Sequence, residues 1–239
     1  MPNNFFQFKQ FTVYQEMCAM KVCTDACVFG ALVASQLQHG VKGKILDIGC
    51  GTGLLSLMLA QKIPTGIDAV EVNEDAAVQA KENINASPWA DRITIQQADI
   101  REFLPTEKYG LIISNPPFFE SDLRSPDEHK NSAKHDSSLK LDELLTFISM
   151  HIEVSGMAAI LLPYHRTTRF EDMASNEMFF VQKKVLIRQT VEHDFFRSVL
   201  FISPEKNSNP EIETMAIHDS NRQYTEAFTS LLKDYYLKC

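Results

Sequence analysis

Strand-length runs rich in apolar and β-branched residues recur along the chain. They are Lys44-Ile-Leu-Asp-Ile48, Ile67-Asp-Ala-Val-Glu71-Val72, Ile93-Thr-Ile-Gln-Gln97, Tyr109-Gly-Leu-Ile-Ile-Ser114 and Met157-Ala-Ala-Ile-Leu-Leu-Pro163. Near-continuous apolarity predicts strands covered on both faces, as in a parallel sheet. Leu54-Leu-Ser-Leu-Met-Leu-Ala60 and the stretch from Leu139 to Ile152 follow a helical pattern instead. Ahead of these, Phe5 to Val13 predicts short strand material packed through Phe6, Phe8 and Phe11. Thr24-Asp25 then reads as the cap of a helix over Ala26 to Gln38, because side-chain oxygens there can accept the orphan N–H bonds of a first turn. Late in the chain, Phe179 to Gln189 and Ser198 to Ser203 are close enough for a hairpin. A strand at Ile212 to Ile217 and a helix from Gln223 to Tyr236 follow. The sum is an α/β fold: a mostly parallel sheet with helices on both faces, an antiparallel edge and a short N-terminal extension.

Length and composition set limits on this picture. With 239 residues, 44% of them hydrophobic, the chain can bury the core of one domain. We divide it into an extension with its helix (1–40) and a core (41–239). No stretch approaches the roughly 18–20 apolar residues that span a membrane, and no basic-then-apolar leader opens the chain. Five cysteines make a poor disulfide framework at this length, which points to a reducing cytosol. Cys23-x-x-x-Cys27 invites a metal reading, but no third ligand follows at close spacing, so helix-packed thiols and no metal are expected. Nothing in the sequence calls for an obligate protein partner.

The first strand runs into Asp47-Ile-Gly49-Cys-Gly51-Thr-Gly53 and then directly into the Leu54 helix. Strand, glycine turn and helix open a nucleotide-binding βαβ unit, whose glycines permit a tight turn and close approach of a ligand to the backbone. The spacing is G-x-G-x-G rather than the dinucleotide G-x-G-x-x-G, which suits a nucleoside better than a pyrophosphate. Gly49 and Gly51 are therefore candidate ligand contacts. About 20 residues further on, Glu71-Val72 put a carboxylate at the next strand end, where it can bind both ribose hydroxyls. Asp99 and Ile100 end the third strand with an acid and an apolar neighbour suited to adenine. Any one of Asp47, Glu71 and Asp99 can be a solvated loop acid. All three at successive strand ends point to a ligand, since open α/β sheets bind ligands there. We read an S-adenosylmethionine site.

The fourth strand ends in Asn115-Pro116-Pro117-Phe118. Two prolines remove two backbone donors and stiffen the chain. A planar amide beside a rigid run of carbonyls can accept hydrogen bonds from an NH2 group, and the adjacent ring can stack the flat system carrying it. Such a sequence can also be only a turn; the glycine motif upstream favours the chemistry. Phe119 either packs beneath Phe118 or lines the entrance. The polar stretch from Arg124 to Lys140 reads as a loop over the site, with Arg124, Lys130 and Lys134 as candidate phosphate contacts. A plain solvated loop is the alternative, since Asp122, Asp127, Glu128 and Asp136 offset its charge. The net charge of −8 is awkward for a nucleic-acid enzyme, whose affinity comes largely from phosphate contacts, although a local patch can supply them.

Taken together these motifs resemble the class I amino-methyltransferases. More narrowly, the chain is similar to the bacterial tRNA adenine N6-methyltransferases that modify adenine 37, beside the anticodon of a valine tRNA. The likeness spans nearly the whole chain and thins between Thr167 and Glu213. Its more specific segments are Lys21-Val-Cys-Thr-Asp25 and Asn83-Ile-Asn-Ala-Ser-Pro-Trp89; the glycine turn and Asn-Pro-Pro are shared by many amino-methyltransferases. The resemblance implies a Rossmann-like fold with a seven-stranded sheet, S-adenosylmethionine as cofactor, a tRNA partner and a cytoplasmic setting. It also implies that Lys21, Thr24 and Asp25 help close the cofactor pocket, and that Asp47, Gly49, Glu71 and Asp99 contact the cofactor. Phe118 departs from the family, where tyrosine is commoner; it keeps a stacking face and lacks the hydroxyl. Glutamine N5-methylation of a protein, adenine methylation of ribosomal RNA or DNA, and a non-enzymatic binding module remain as alternatives.

Overall fold

In the computed structural model, residues 4–18, 20–37, 40–116 and 139–238 are described. A hairpin of β1 (Phe5–Gln7) and β2 (Thr12–Tyr14) precedes α1 (Thr24–Gln36). The core then alternates β3 (Lys44–Ile48), α2 (Leu54–Ala60), β4 (Ile67–Glu71), α3 (Glu74–Asn85), β5 (Ile93–Gln97), β6 (Tyr109–Ser114), α4 (Leu141–His151) and β7 (Ile152–Pro163). A 3-10 turn leads into α5 (Thr167–Asn176), and β8 (Phe180–Thr190), β9 (Phe195–Ser203), β10 (Glu211–His218) and α6 (Glu226–Leu232) complete the chain.

Among the described residues the main sheet has eight strands, in the order β10-β8-β9-β7-β6-β3-β4-β5. That is one more than expected, because the Ile212–Ile217 run joins it as a parallel neighbour of β8. The antiparallel element is β9, which lies inside the sheet between β7 and β8 rather than at its edge. Alternate residues of each central strand enter different cores. Leu111 and Ile113 of β6 pack with α1, α2 and α6, while Ile112 packs with α4 and α5. This two-sided burial is why those strands read as continuous apolar runs. Gly110 has a steric reason: a Cβ there would stand 1.7 Å from the Lys42 carbonyl oxygen.

The connection order places the site. β3 pairs with β4 on one side and with β6 on the other, all parallel. The chain therefore winds away from β3 in both directions, and loops leaving β3 and β6 diverge to open a crevice at their carboxyl ends.

The N-terminal hairpin is tied across this end through Asn83 on α3. Its Nδ2 donates to the Tyr14 and Thr52 carbonyls at 2.8 and 2.9 Å, and its Oδ1 accepts from Tyr14 N at 2.9 Å. One buried amide thus holds β2 against the glycine turn. The same hairpin meets the C-terminus, where Lys9 N donates to Tyr235 O and the Tyr235 hydroxyl donates to Met58 O.

Several expected elements differ. The helix after Cys23 begins at Thr24, with Cys23 as its N-cap and no side-chain capping bond. Thr24 and Asp25 are thus inside the first turn. Asp25 is drawn instead to Arg197 of β9, whose Nε donates to its Oδ2 at 2.8 Å. The C-terminal helix is shorter than Gln223 to Tyr236 because the Thr225 hydroxyl, accepting from Phe228 N, caps it later. Among the described residues no helix is long and apolar enough to cross a membrane.

Candidate active site

A cavity of about 560 Å³ opens at the carboxyl ends of β3, β4, β5 and β6. Its floor is the glycine turn. Gly49, Gly51 and Gly53 all have positive φ (71°, 54° and 78°), a region costly for residues that carry a Cβ. The turn is pinned by Gly49 N donating to Val70 O at 2.8 Å. A second anchor comes from the next strand: Glu71 Oε2 accepts from Gly51 N and its Oε1 from Asn73 N, both at 2.9 Å. Asn73 in turn caps α3, its Oδ1 accepting from Ala76 N. The Glu71 carboxylate is only 9% exposed and is held rigidly. Each of its oxygens keeps lone-pair capacity for one more donor.

Beyond the next strand, Asp99 and Ile100 line the cavity as expected. Arg101 grips Asp99 through its Nε, Nη2 and backbone N, and reaches Glu143 of α4 at 3.7 Å. The hydrogen bonds from Arg101 hold the Asp99 carboxyl below its ordinary range.

Opposite these acids, Ser114 Oγ donates to the Ile48 carbonyl at 3.0 Å and locks the end of β6 to β3. Asn115 follows and faces the cavity beside buried Pro116. Its Oδ1 is shielded from solvent and has no hydrogen-bond partner among the described residues. A buried amide oxygen without a donor costs about 1–3 kcal/mol, so its position marks a place where a donor belongs.

Of the candidate residues, Lys21, Gly49, Gly51, Glu71, Val72, Asp99, Ile100, Asn115 and Pro116 line this one cavity. Thr24 and Asp25 do not, and Asp47 lies beneath it. Pro117, Phe118, Phe119, Arg124, Lys130 and Lys134 fall outside the described residues. The sequence reading missed Asn73 and Arg101. Asn73 was findable, since Asn followed by Glu74-Asp75 is a helix-start signature; Arg101 carries no comparable local signal. Cys23 and Cys27 are packing thiols, pushed up to about 12 chiefly by burial.

Asp47 is fully buried, with Ser56 Oγ donating to its Oδ2 at 2.7 Å and no partner on Oδ1 among the described residues. Burial pushes its carboxyl up to about 7, with the Glu71 charge adding to the rise and Ser56 opposing it. Folded-state protonation therefore stabilises the cofactor-free protein in full below the ordinary carboxylate pKa, and this contribution is lost as pH rises through about 7. We expect Asp47→Asn to remove that loss. Between about pH 5 and 8, urea denaturation of the cofactor-free proteins should shift in favour of the variant by roughly 2–3 kcal/mol. A pH-independent difference would refute the assignment.

The residues fit S-adenosylmethionine on the structure's own terms. An open glycine turn admits a ligand against the backbone, a rigid carboxylate keeps acceptor capacity on each oxygen for a pair of hydroxyls, and an apolar-plus-acid wall suits an adenine. Comparison with known proteins agrees. Residues 21–131 match the family model of the methyltransferase small domain. A predicted O-methyltransferase from Agrobacterium tumefaciens shares the fold with a TM-score of 0.67 over 88% of this chain and 96% of that one, at 16% identity. A putative RNA methyltransferase from Pyrococcus horikoshii aligns with a TM-score of 0.54 over 77% and 84%, at 19% identity. Fold and site together define a class I, S-adenosylmethionine-dependent methyltransferase with a Rossmann-like core.

Curated relatives narrow this class. The tRNA1(Val) (adenine(37)-N6)-methyltransferase of Dyadobacter fermentans is 42% identical over 243 aligned positions, covering 100% of both chains. Its namesakes from Cytophaga hutchinsonii (40%, 99% of each chain) and Klebsiella pneumoniae (39%, 99% of this chain and 96% of that one) are similar throughout. The chain belongs to the tRNA1(Val) (adenine(37)-N6)-methyltransferase family.

Proposed function

We propose that this protein methylates N6 of adenine 37 in the anticodon loop of a valine tRNA, using Asn115 and Pro116 to hold the amino group. The observation that carries the residue roles is the buried, unpartnered Oδ1 of Asn115 in the same cavity as the glycine turn and Glu71. An exocyclic amino group supplies the missing donor. A cytoplasmic site of action follows from such a substrate.

Bound S-adenosylmethionine brings an already activated methyl group, whose C–S bonding pair returns to sulfur as the new C–N bond forms. The chain's own task is to position a weak nucleophile. The N6 lone pair is delocalised into the adenine ring. Asn115 Oδ1 and the Pro116 carbonyl accept the two amino hydrogens, which favours a pyramidal nitrogen with a more available lone pair. They also face the positive charge that grows there, and they are fixed in place beforehand by the Ser114–Ile48 bond and the proline ring. Phe118 is assigned to stacking on the extruded base, an interaction worth about 1–3 kcal/mol. Water takes the surplus proton after transfer, so no general base is needed.

Mass spectrometry of tRNA nucleosides tests the substrate. A strain lacking the protein should lose N6-methyladenosine from position 37 of a valine tRNA, and the wild-type gene should restore it. Unchanged N6-methyladenosine in that tRNA would sink the reading.

A further inference from the structure

The carboxyl edge of the sheet changes character beside the crevice. Tyr164, which follows β7, is 41% exposed, and its ring centroid lies 5.4 Å from that of Phe195 at the start of β9. Arg188 of β8 pairs in register with Phe195 and sets its Cζ 5.5 Å from the same ring. Next along, Arg197 places its Cζ 5.4 Å from the Phe196 ring. One exposed ring and two partly buried ones, interleaved with guanidinium planes, leave aromatic faces in reach of solvent. They make a good surface for stacking bases and holding phosphates.

Position ties this patch to the catalytic crevice. Ser114 of β6 stands opposite Ile160 of β7. Tyr164 therefore lies one strand over from Asn115 and roughly 10 Å further along the strand direction, at about 3.3 Å per residue. The Asp25–Arg197 bond fastens the patch to the start of α1, whose lead-in residues Lys21 to Cys23 line the cavity. Arg188 donates from Nη1 to Val191 O at 2.9 Å, while its Nε is shielded from water with no acceptor among the described residues. In a protein of net charge −8, Arg188, which makes no ion pair among the described residues, offers an RNA phosphate complementary charge here, while Arg197 is already paired with Asp25.

We propose that Tyr164, Phe195 and Arg188 form the landing for the RNA strand that flanks the target adenine. A neighbouring base stacks on the Tyr164–Phe195 pair, and Arg188 takes a phosphate from the same strand. The inference rests on the tRNA reading above. It adds a docking surface outside the methyl-transfer site, on residues that touch neither the cofactor nor the reacting nitrogen.

Steady-state methylation of an unmodified valine tRNA transcript by the full-length protein tests it. Tyr164→Ala should raise KM for tRNA about tenfold, with kcat at saturating RNA within about twofold of wild type. Tyr164→Phe, which keeps the ring, should behave as wild type. Arg188→Gln should flatten the slope of log kcat/KM against log salt by about 0.7–0.9, the loss of one phosphate contact. S-adenosylmethionine affinity by calorimetry should not move in these variants, and circular dichroism should show each of them folded at the assay temperature. Folded Tyr164→Ala and Arg188→Gln proteins with unchanged KM and salt slope would overturn the surface, as would occupation of this face by a protein instead. Failure of wild type to methylate any tRNA would overturn the substrate reading and this occupant with it.

Discussion

Asn115→Ala should lower kcat for tRNA methylation by about 100- to 1,000-fold while leaving S-adenosylmethionine affinity nearly unchanged. The magnitude follows from removing one preorganised group that faces developing charge, an effect of about 3–4 kcal/mol. The direction of the split follows from geometry. The Asn115 amide stands at the end of β6, across the crevice from the Glu71 carboxylate that terminates β4. Its oxygen has no partner among the described residues, so truncation breaks none of the hydrogen bonds they make. Thermal stability should hold or rise slightly, because a buried acceptor without a donor is removed. Asn115→Asp keeps acceptor oxygens at the same place and should retain on the order of a tenth or more of wild-type kcat, whereas Asn115→Leu should match alanine. Single-turnover methyl transfer with saturating cofactor measures this directly. Near-wild-type turnover in the alanine variant would remove Asn115 from the chemistry.

The central strands and the glycine turn were legible because their physics is local. Continuous apolar runs reported burial on both faces, and Gly49 and Gly51 reported φ values that other residues avoid. Glu71, Asp99 and Asn115 were legible for a related reason, since Glu71 ends a strand that the pattern locates, Asn115 directly follows one and Asp99 comes two residues after one. What escaped depends on partners far away in sequence. Asp25 looked like a cap, yet Arg197 takes its carboxylate, and nothing near position 25 signals that. Asp47 looked like one more strand-end acid, but its side chain turns under the glycine turn to Ser56. Helix α5 was missed because Thr167-Thr-Arg-Phe-Glu-Asp-Met-Ala-Ser-Asn176 buries only Thr167, Phe170 and Ala174, too few apolar positions for its period to show. Asn83 carried a family likeness without a role until the structure showed its amide spanning Tyr14 and Thr52.

Glu71→Ala should produce the opposite kinetic split, weakening S-adenosylmethionine binding by about 100-fold or more. The carboxylate has four acceptor positions, and backbone N–H groups of Gly51 and Asn73 occupy one on each oxygen. The remaining position on each oxygen suits one of a pair of vicinal ribose hydroxyls. Hydrogen bonds to a charged acceptor contribute about 1.5–3 kcal/mol each, so losing two accounts for the expected change. Glu71→Gln is not a mild control here. An amide offers one oxygen and one NH2, and that NH2 must then face either the Gly51 or the Asn73 donor, so the glycine turn loses an anchor. The glutamine variant should therefore bind nearly as poorly as alanine despite its matching shape. At saturating cofactor, kcat should fall much less than affinity, because the ribose end is remote from the transferred methyl and its contacts are alike in ground and transition states. Calorimetric titration with S-adenosylmethionine, paired with circular dichroism to establish that the turn variants fold, decides the matter. Wild-type affinity in a folded Glu71→Ala protein would place the ribose elsewhere in the cavity.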